Sequence, residues 1–490
     1  MKKFLVAIDQ GTTSSRAILF NLSGKPIYIS QKEFRQYFPK NGWVEHNPSE
    51  IWNTVKKVLL DVIAKSKKLK GKILSIGITN QRETTILWDK KTGKHVYNAI
   101  VWQDRRTEEY CKKIKKKENL IRKKTGLFID PYFSATKIKW ILENVPKTKN
   151  LLKKKQLLFG TIDSFLIWKL TEGKIHATDA TNASRTMLFN INKNNWDNEI
   201  LKIFKINKNI LPIVKNSADD FGNTSKKVIG EKISISAVLG DQQAAAFGQA
   251  CFEKGSVKST YGTGAFIIMN TGNKKLISKN KLLTTICYRL NNKNTFAIEG
   301  SIFVAGAGVQ WLRDKIRLIN NAFETEKIVK SKKENHGVYI VPAFTGLGAP
   351  YWSPSSRGLI TGLTRNSDWK DLVRATIESV AYQSYDLFES MRKDGLKPKI
   401  IKVDGGMVVN NWFSQFLSNI IDTKVIRPKV KETTALGAAF MAGLKIGVYK
   451  SLSDISNYWK IDKKFTPKIS KSNRIKLLKG WQQAIRKTLV

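Results

Sequence analysis

Residues 7–20 read AIDQGTTSSRAILF. The apolar run FLVAI stops on Asp9, polar and small residues follow, and a second apolar run opens after Arg16. Such a pattern predicts two strands joined by a tight, hydroxyl-rich turn. The turn exposes successive backbone N–H groups, and Thr12, Thr13 and Ser14 add hydroxyl donors, a set that suits phosphate oxygens. Asp9, at the strand end, is placed to hold a hydrated Mg2+. A hydroxyl-rich hairpin turn explains the stretch equally well when it is taken alone. Neither GxxxxGK[ST] nor GxGxxG occurs in the chain, so the P-loop and the dinucleotide-binding turn do not account for it.

The same logic returns beyond residue 250. KGSVKSTYGTGAFIIMNTG (254–272) reads as strand, Gly-Thr turn, strand, and would bring a second phosphate clamp through Gly262 and Thr263. KIIKVDGGMVVNNWFSQFLSNI (399–420) reads as a strand ending in Asp-Gly-Gly and then a helix. Its Gly405 and Gly406 would provide a shelf for an adenine or ribose. Elsewhere short β-rich runs (ILSIGIT, TTILWD, ISISAVLGD) alternate with helical patterns such as SEIWNTVKKVLLDVIAK, with Ser49 as expected N-cap, and SATKIKWILENV. The expectation is an α/β chain of two similar lobes, 1–249 and 250–490, with a ligand cleft between them.

Two further constellations carry chemistry. In GITNQRETTILWD, Arg82 and Glu83 stand between strand-like segments, where burial requires a partner for each. A guanidinium fork beside a carboxylate donates to and accepts from neighbouring hydroxyls, as an uncharged polyol requires. Trp102, in VWQDRRT, is placed to lie along its carbon chain, although a core position is the commoner fate of tryptophan. In VLGDQQAAAFGQACF, Asp241 again ends a strand, where it is the right group to take a proton from an attacking alcohol and can at the same time cap the following helix. The four histidines fall outside these motifs.

Composition excludes several classes. Three cysteines without CxxC spacing indicate reduced thiols of a cytoplasmic protein, not a disulfide framework or a zinc site. No apolar window approaches the ~18 residues of a membrane span. With 86 Lys+Arg against 39 Asp+Glu the net charge is +47, which invites a nucleic-acid reading. The lysines are spread in short clusters and no nucleic-acid-binding signature accompanies them, so the charge reads as solvation, with weak nonspecific adhesion as a side effect.

Over nearly its whole length the chain resembles the FGGY carbohydrate kinases. YFSATKIKWILEN (132–144) and GLITGLTRNSDWKDLVRATIE (358–378) resemble the two family signatures. NQRETT, WQDRR, DPYFSATK, GDQQAA, YGTGAF and GLGAPYWSPSSRG are forms carried by the branch that phosphorylates glycerol. The resemblance implies an actin/hexokinase-like, ribonuclease H-like fold: two duplicated α/β lobes closing over ATP, Mg2+ and substrate. It assigns Arg82, Glu83, Tyr132, Asp241 and Gln242 to the glycerol hydroxyls, with Trp102 and Phe266 as apolar walls. Asp241 becomes the general base and, with Asp9, the metal-side carboxylate. Thr12, Thr13, Ser14 and Arg16 would meet phosphates from one side and Thr263 from the other, while Gly306, Gln310, Gly406 and Asn410 would line the nucleotide site. A homodimer or homotetramer is expected, with neither a specific nucleic-acid partner nor membrane insertion. FGNTSKKVIGEKIS (221–234) has neither the paired glycines nor the arginine of relatives inhibited by fructose 1,6-bisphosphate, so that regulation is not expected. The rival readings are a kinase of the same family for another polyol or sugar, and a basic nucleic-acid-binding protein on a degenerate kinase fold.

Overall fold

A computed structural model of the chain describes residues 1–353 and 355–489; Pro354, inside GLGAPYWSPSSRG, lies outside them. Strand β1 (Lys2–Gln10) turns into antiparallel β2 (Ser14–Asn21), and β2 into antiparallel β3 (Pro26–Glu33). Helix α1 (Pro48–Lys68) leads to β4 (Gly71–Asn80), which runs parallel to β1; β5 (Ile235–Gly240) runs parallel to β4. The order across this sheet is β5-β4-β1-β2-β3. Leu5 to Ile8 of β1 are wholly buried, as a central strand covered on both faces must be. The cap of α1 is Asn47, not Ser49: its Oδ1 accepts from Ser49 N–H at 2.8 Å. Pro48, whose missing N–H suits the first helical position, moves the start two residues upstream.

The second sheet repeats the first. β6 (Ser256–Tyr261) turns into antiparallel β7 (Ala265–Gly272); β8 (Leu283–Leu290) pairs antiparallel with β9 (Lys293–Ile302), and β9 with β7. β10 (Ile400–Asp404) is parallel to β6 and β11 (Lys424–Pro428) to β10, with β12 (Ile461–Phe465) antiparallel at the edge. Within the order β8-β9-β7-β6-β10-β11-β12, the segment β11-β10-β6-β7-β9 reproduces the first sheet in order and direction.

Two helices exchange sides. α2 (Asp241–Gly248) continues from β5 yet packs on β6 and β7, where Ala244, Ala246 and Phe247 join one apolar cluster with Ile268. Helix α3 (Gly306–Asp314) follows β9, and α4 (Asn411–Ile421) follows β10. α5 (Thr433–Lys445) follows β11 yet lies on β1, β4 and β5. The exchanged helices cross where a Cβ added to Gly437 would stand 1.8 Å from the Ala244 carbonyl oxygen, and one added to Gly248 2.0 Å from that of Thr433. Glycine permits this approach, and it ties the two sheets together.

Candidate active site

Gln10, Asn80 and Gly240 are level with one another at the carboxyl ends of β1, β4 and β5. Ligands of α/β sheets gather beyond such ends. Three groups project from this edge: the turn at residues 11–13, the pair Arg82–Glu83, and Asp241. Gly11 N–H donates to the Ser14 carbonyl at 2.9 Å, which closes the turn; Thr13 is exposed, and Thr12 and Ser14 are half-buried. Gln81 braces it by donating from Nε2 to the Gly11 carbonyl at 3.1 Å. Asp9 is buried and its Oδ2 lies 2.5 Å from Arg16, whose other nitrogen reaches Glu432 Oε2, before α5, at 2.7 Å. Burial raises the Asp9 carboxyl above its usual range, against the pull of Arg16. Arg16 thus spans the two halves of the molecule.

Arg82 and Glu83 are buried, and they belong to a ring of charges. Arg82 donates to Glu299 of β9 through Nη1 and Nη2, at 2.6 and 2.8 Å. Arg185 Nε donates to Glu83 Oε1 at 2.6 Å and its Nη2 lies 3.3 Å from Glu299. Burial opposes the charge on Glu299, but the two guanidinium groups prevail and hold its carboxyl down at about 2. With its fork spent on Glu299, Arg82 turns Nε to Asp241 Oδ1 at 3.2 Å. Asp241 keeps 29% of its side chain exposed, whereas Arg82 and Glu83 keep 2% each. Glu299 keeps none, so Asp241 is the most accessible of the three carboxylates. Burial raises its carboxyl, against Arg82 and Lys258, which lower it.

Asp241 is not the helix cap. Gly240 occupies that position, and the Asp241 carboxylate, one residue into α2, accepts Gln242 N–H at 2.7 Å. Trp102 is half-buried; its Nε1 donates to Thr12 Oγ1 at 3.1 Å, and its ring meets Tyr132 at 5.7 Å and Phe266 at 6.0 Å. This aromatic group joins the hydroxyl turn to the polar ring and, through Phe266, the first sheet to the second.

Two cavities share Gly406 and Val409. The larger, about 610 Å³, is lined by Arg16, Thr260, Asp404, Gly405 and Glu432 among others; the smaller, about 440 Å³, takes Thr263, Gly306, Gln310, Met407 and Asn410. The turn at Gly262–Gly264 is the counterpart of that at Gly11–Ser14 but one residue shorter, with Gly262 N–H on the Gly264 carbonyl at 2.9 Å. Gly405 adopts φ +94°, and a Cβ there would lie 2.4 Å from the Tyr261 carbonyl oxygen; one on Gly406 would meet nothing within 4 Å and would point into open space. Asn410 is committed, since its Oδ1 accepts Phe413 N–H at 2.9 Å and its Nδ2 donates to Thr325.

Residues 4–248 match the N-terminal domain, and residues 257–446 the C-terminal domain, of the FGGY family of carbohydrate kinases. The chain belongs to this family. It is similar to glycerol kinase 1 of Pseudomonas aeruginosa (53% identical, 99% of both chains) and to the glycerol kinase of Alteromonas mediterranea (54%, 99% of both). The crystal structure of Plasmodium falciparum glycerol kinase with ADP superposes with a TM-score of 0.93 at 40% identity, over 100% of this chain and 99% of that one. A gluconate kinase from Lactobacillus acidophilus shares the fold at 23% identity, TM-score 0.88, over 99% of this chain and 97% of that one.

In this FGGY kinase the sequence reading missed Glu299, Arg185, Glu432 and Lys258. Glu299 carries a signal, because it is a charge set in the mostly apolar strand stretch FAIEG, where burial demands a partner; Lys258 sits among Ser and Thr in SVKSTY and stands out no more than any other lysine. Arg185 and Glu432 carry none in the sequence, and only the fold brings them to their partners.

Proposed function

We propose that the chain transfers the γ-phosphoryl group of ATP to a terminal hydroxyl of glycerol, giving sn-glycerol 3-phosphate, between a lobe of residues 1–249 and one of 250–490. The observation that carries the reading is the ring Arg82–Glu299–Arg185–Glu83 with Asp241 at its open side. It offers charged acceptors and donors to a small neutral triol, beside an apolar wall of Trp102, Tyr132 and Phe266. The full-length likeness to glycerol kinases supports the same substrate.

Asp241 accepts the proton of the attacking hydroxyl as its oxygen bonds to phosphorus, and the bond from the γ-phosphorus to the β-side oxygen breaks to release ADP. The turn at residues 11–13 and Thr263 bring N–H and hydroxyl donors to the phosphates from opposite sides. Arg16 meets the phosphate chain in the larger cavity, and the base lies in the smaller, over Gly406 and beside Gln310. Among the described residues no group of three or more His, Cys, Asp or Glu forms a metal cage. Two strand-end carboxylates, Asp9 and Asp241, fit Mg2+, which takes one or two carboxylates and completes its shell with phosphate oxygens and water. When bound, the ion neutralises charge on the phosphates.

Among the described residues no helix is long and apolar enough to cross a membrane. The reading extends to a homodimer or homotetramer of the cytoplasm without a specific nucleic-acid partner; three buried free thiols support a reducing compartment. The test is ADP release with Mg-ATP, with and without glycerol and with a panel of other polyols and sugars. Release that glycerol stimulates above every other acceptor is expected. Release independent of glycerol, or a preference for a pentulose or gluconate, overturns the assignment.

A further inference from the structure

Lys258 lies in β6 with none of its surface exposed. Among the described residues its ammonium makes one hydrogen bond, from Nζ to Gln242 Oε1. This is a costly place for a cation. Burial pushes the ammonium below its ordinary value, against Asp404 and Asp241, which raise it. It also stands beside the first turn of α2, where the helix dipole is positive and repels it. Lys402, level with it in β10, has the favourable arrangement: it donates to the Gln249 and Ala250 carbonyls past the other end of α2, at 2.7 and 3.0 Å. Two lysines on neighbouring strands therefore hold both ends of one helix, and the dipole helps only Lys402.

An ammonium only donates, whereas a carboxamide has one accepting and one donating end. Lys258 therefore fixes which way the Gln242 amide points. Its oxygen must face β6, and Nε2, which has no partner among the described residues, is the end left over. We propose that Lys258 is a positioning residue that locks Gln242 so that its amide N–H donates to a substrate hydroxyl beside the Asp241 carboxylate. Asp241 only accepts and the locked amide only donates, so one hydroxyl satisfies both. With the amide reversed, two acceptors would face that hydroxyl and one would stay unpaired. The inference rests on the glycerol reading above and names a source of its specificity.

The test is a double-mutant cycle on glycerol KM with Lys258→Met, Gln242→Ala and the double variant, in the ADP-release assay. Lys258→Met is expected to raise glycerol KM about tenfold and to leave ATP KM within about twofold. On the Gln242→Ala background the same change should move glycerol KM by less than about twofold, because its only route to substrate is gone. An equal increase on both backgrounds, or a joint rise in the KM of both substrates, overturns the proposal. Wild-type protein without glycerol-dependent turnover removes the glycerol reading itself, whereas active wild-type protein with an additive cycle removes only the role of Lys258. If Lys258→Met does not fold, Gln242→Glu carries the test, since it keeps an acceptor for Lys258 and deletes the N–H donor. A rise of about tenfold in glycerol KM, with weaker discrimination against propane-1,2-diol and an unchanged melting temperature, is expected. An unchanged glycerol KM in that variant overturns the proposal.

Discussion

Asp241 and Arg82 sit 3.2 Å apart, but their substitutions should be distinguishable. Asp241→Asn keeps the shape and loses the proton acceptor. Its kcat is expected to fall by roughly 10²–10⁴-fold while nucleotide affinity, measured at equilibrium, stays near wild type. Near-normal turnover would remove Asp241 from the base role. Arg82 is also structural, because its fork neutralises Glu299 inside the protein. Arg82→Met should raise glycerol KM and also cost about 3–5 kcal/mol in urea unfolding, the penalty for stranding a buried charge. Adding Glu299→Met should restore much of the stability without restoring glycerol binding; recovery of both would mean that Arg82 does not touch substrate. Asp9, Arg82, Glu83 and Asp241 were legible in the sequence because each sits at or just past the end of an apolar run. Glu299 showed only as an unpaired charge in an apolar stretch, because its partner Arg82 lies 217 residues away, and Arg185, 102 residues from Glu83, did not show at all.

Both Gly-Thr turns and the Asp-Gly-Gly strand end were visible as elements, and their order along the chain was enough to predict two similar sheets. The exchange of α2 and α5 between those sheets was not visible. ALGAAFMAGLKIGVY reads only as an apolar stretch broken by glycines and Lys445, and the need for glycine at residue 437 emerges when Ala244 of the other helix is in place. Gly437→Ala should therefore lower stability by about 3 kcal/mol, because helix backbone has no flexible end to move aside. Gly406→Ala is the control within the same fold: its added methyl meets nothing within 4 Å, so stability should hold while nucleotide affinity falls. Thermal unfolding and nucleotide titration of the pair check both outcomes. Equal stability losses would contradict the tight crossing, and unchanged nucleotide affinity in Gly406→Ala would take that glycine out of the site.

Across the molecule, buried titratable groups set opposing slopes of stability with pH. Burial lowers His46 to about 3 and His176 to about 4, so each favours folding fully above the ordinary histidine value near 6.5 and progressively less as pH falls. Burial raises Asp163 and Asp386 to about 7 from 3.8, so the native state holds protons that the unfolded chain has released. Their contribution is whole below pH 3.8 and is lost as pH rises through 7. Between about pH 4 and 6.5 the two pairs offset each other, and a wild-type profile alone hides both. Asp163 separates them. It is wholly buried, and its two oxygens accept from Thr161 Oγ1 at 2.5 Å and Thr178 Oγ1 at 2.6 Å. Asp163→Asn shifts stability by a constant amount through those bonds and removes the proton-linked part. A raised pKa of roughly three pH units is worth about 4 kcal/mol. The difference between variant and wild type should therefore move in the variant's favour by about that amount from pH 4 to pH 7.5, read from urea unfolding at fixed ionic strength. Fixed salt matters because a chain of net charge +47 gains or loses stability through self-repulsion as screening changes. A difference constant across that range would mean that Asp163 is ionised in the native protein.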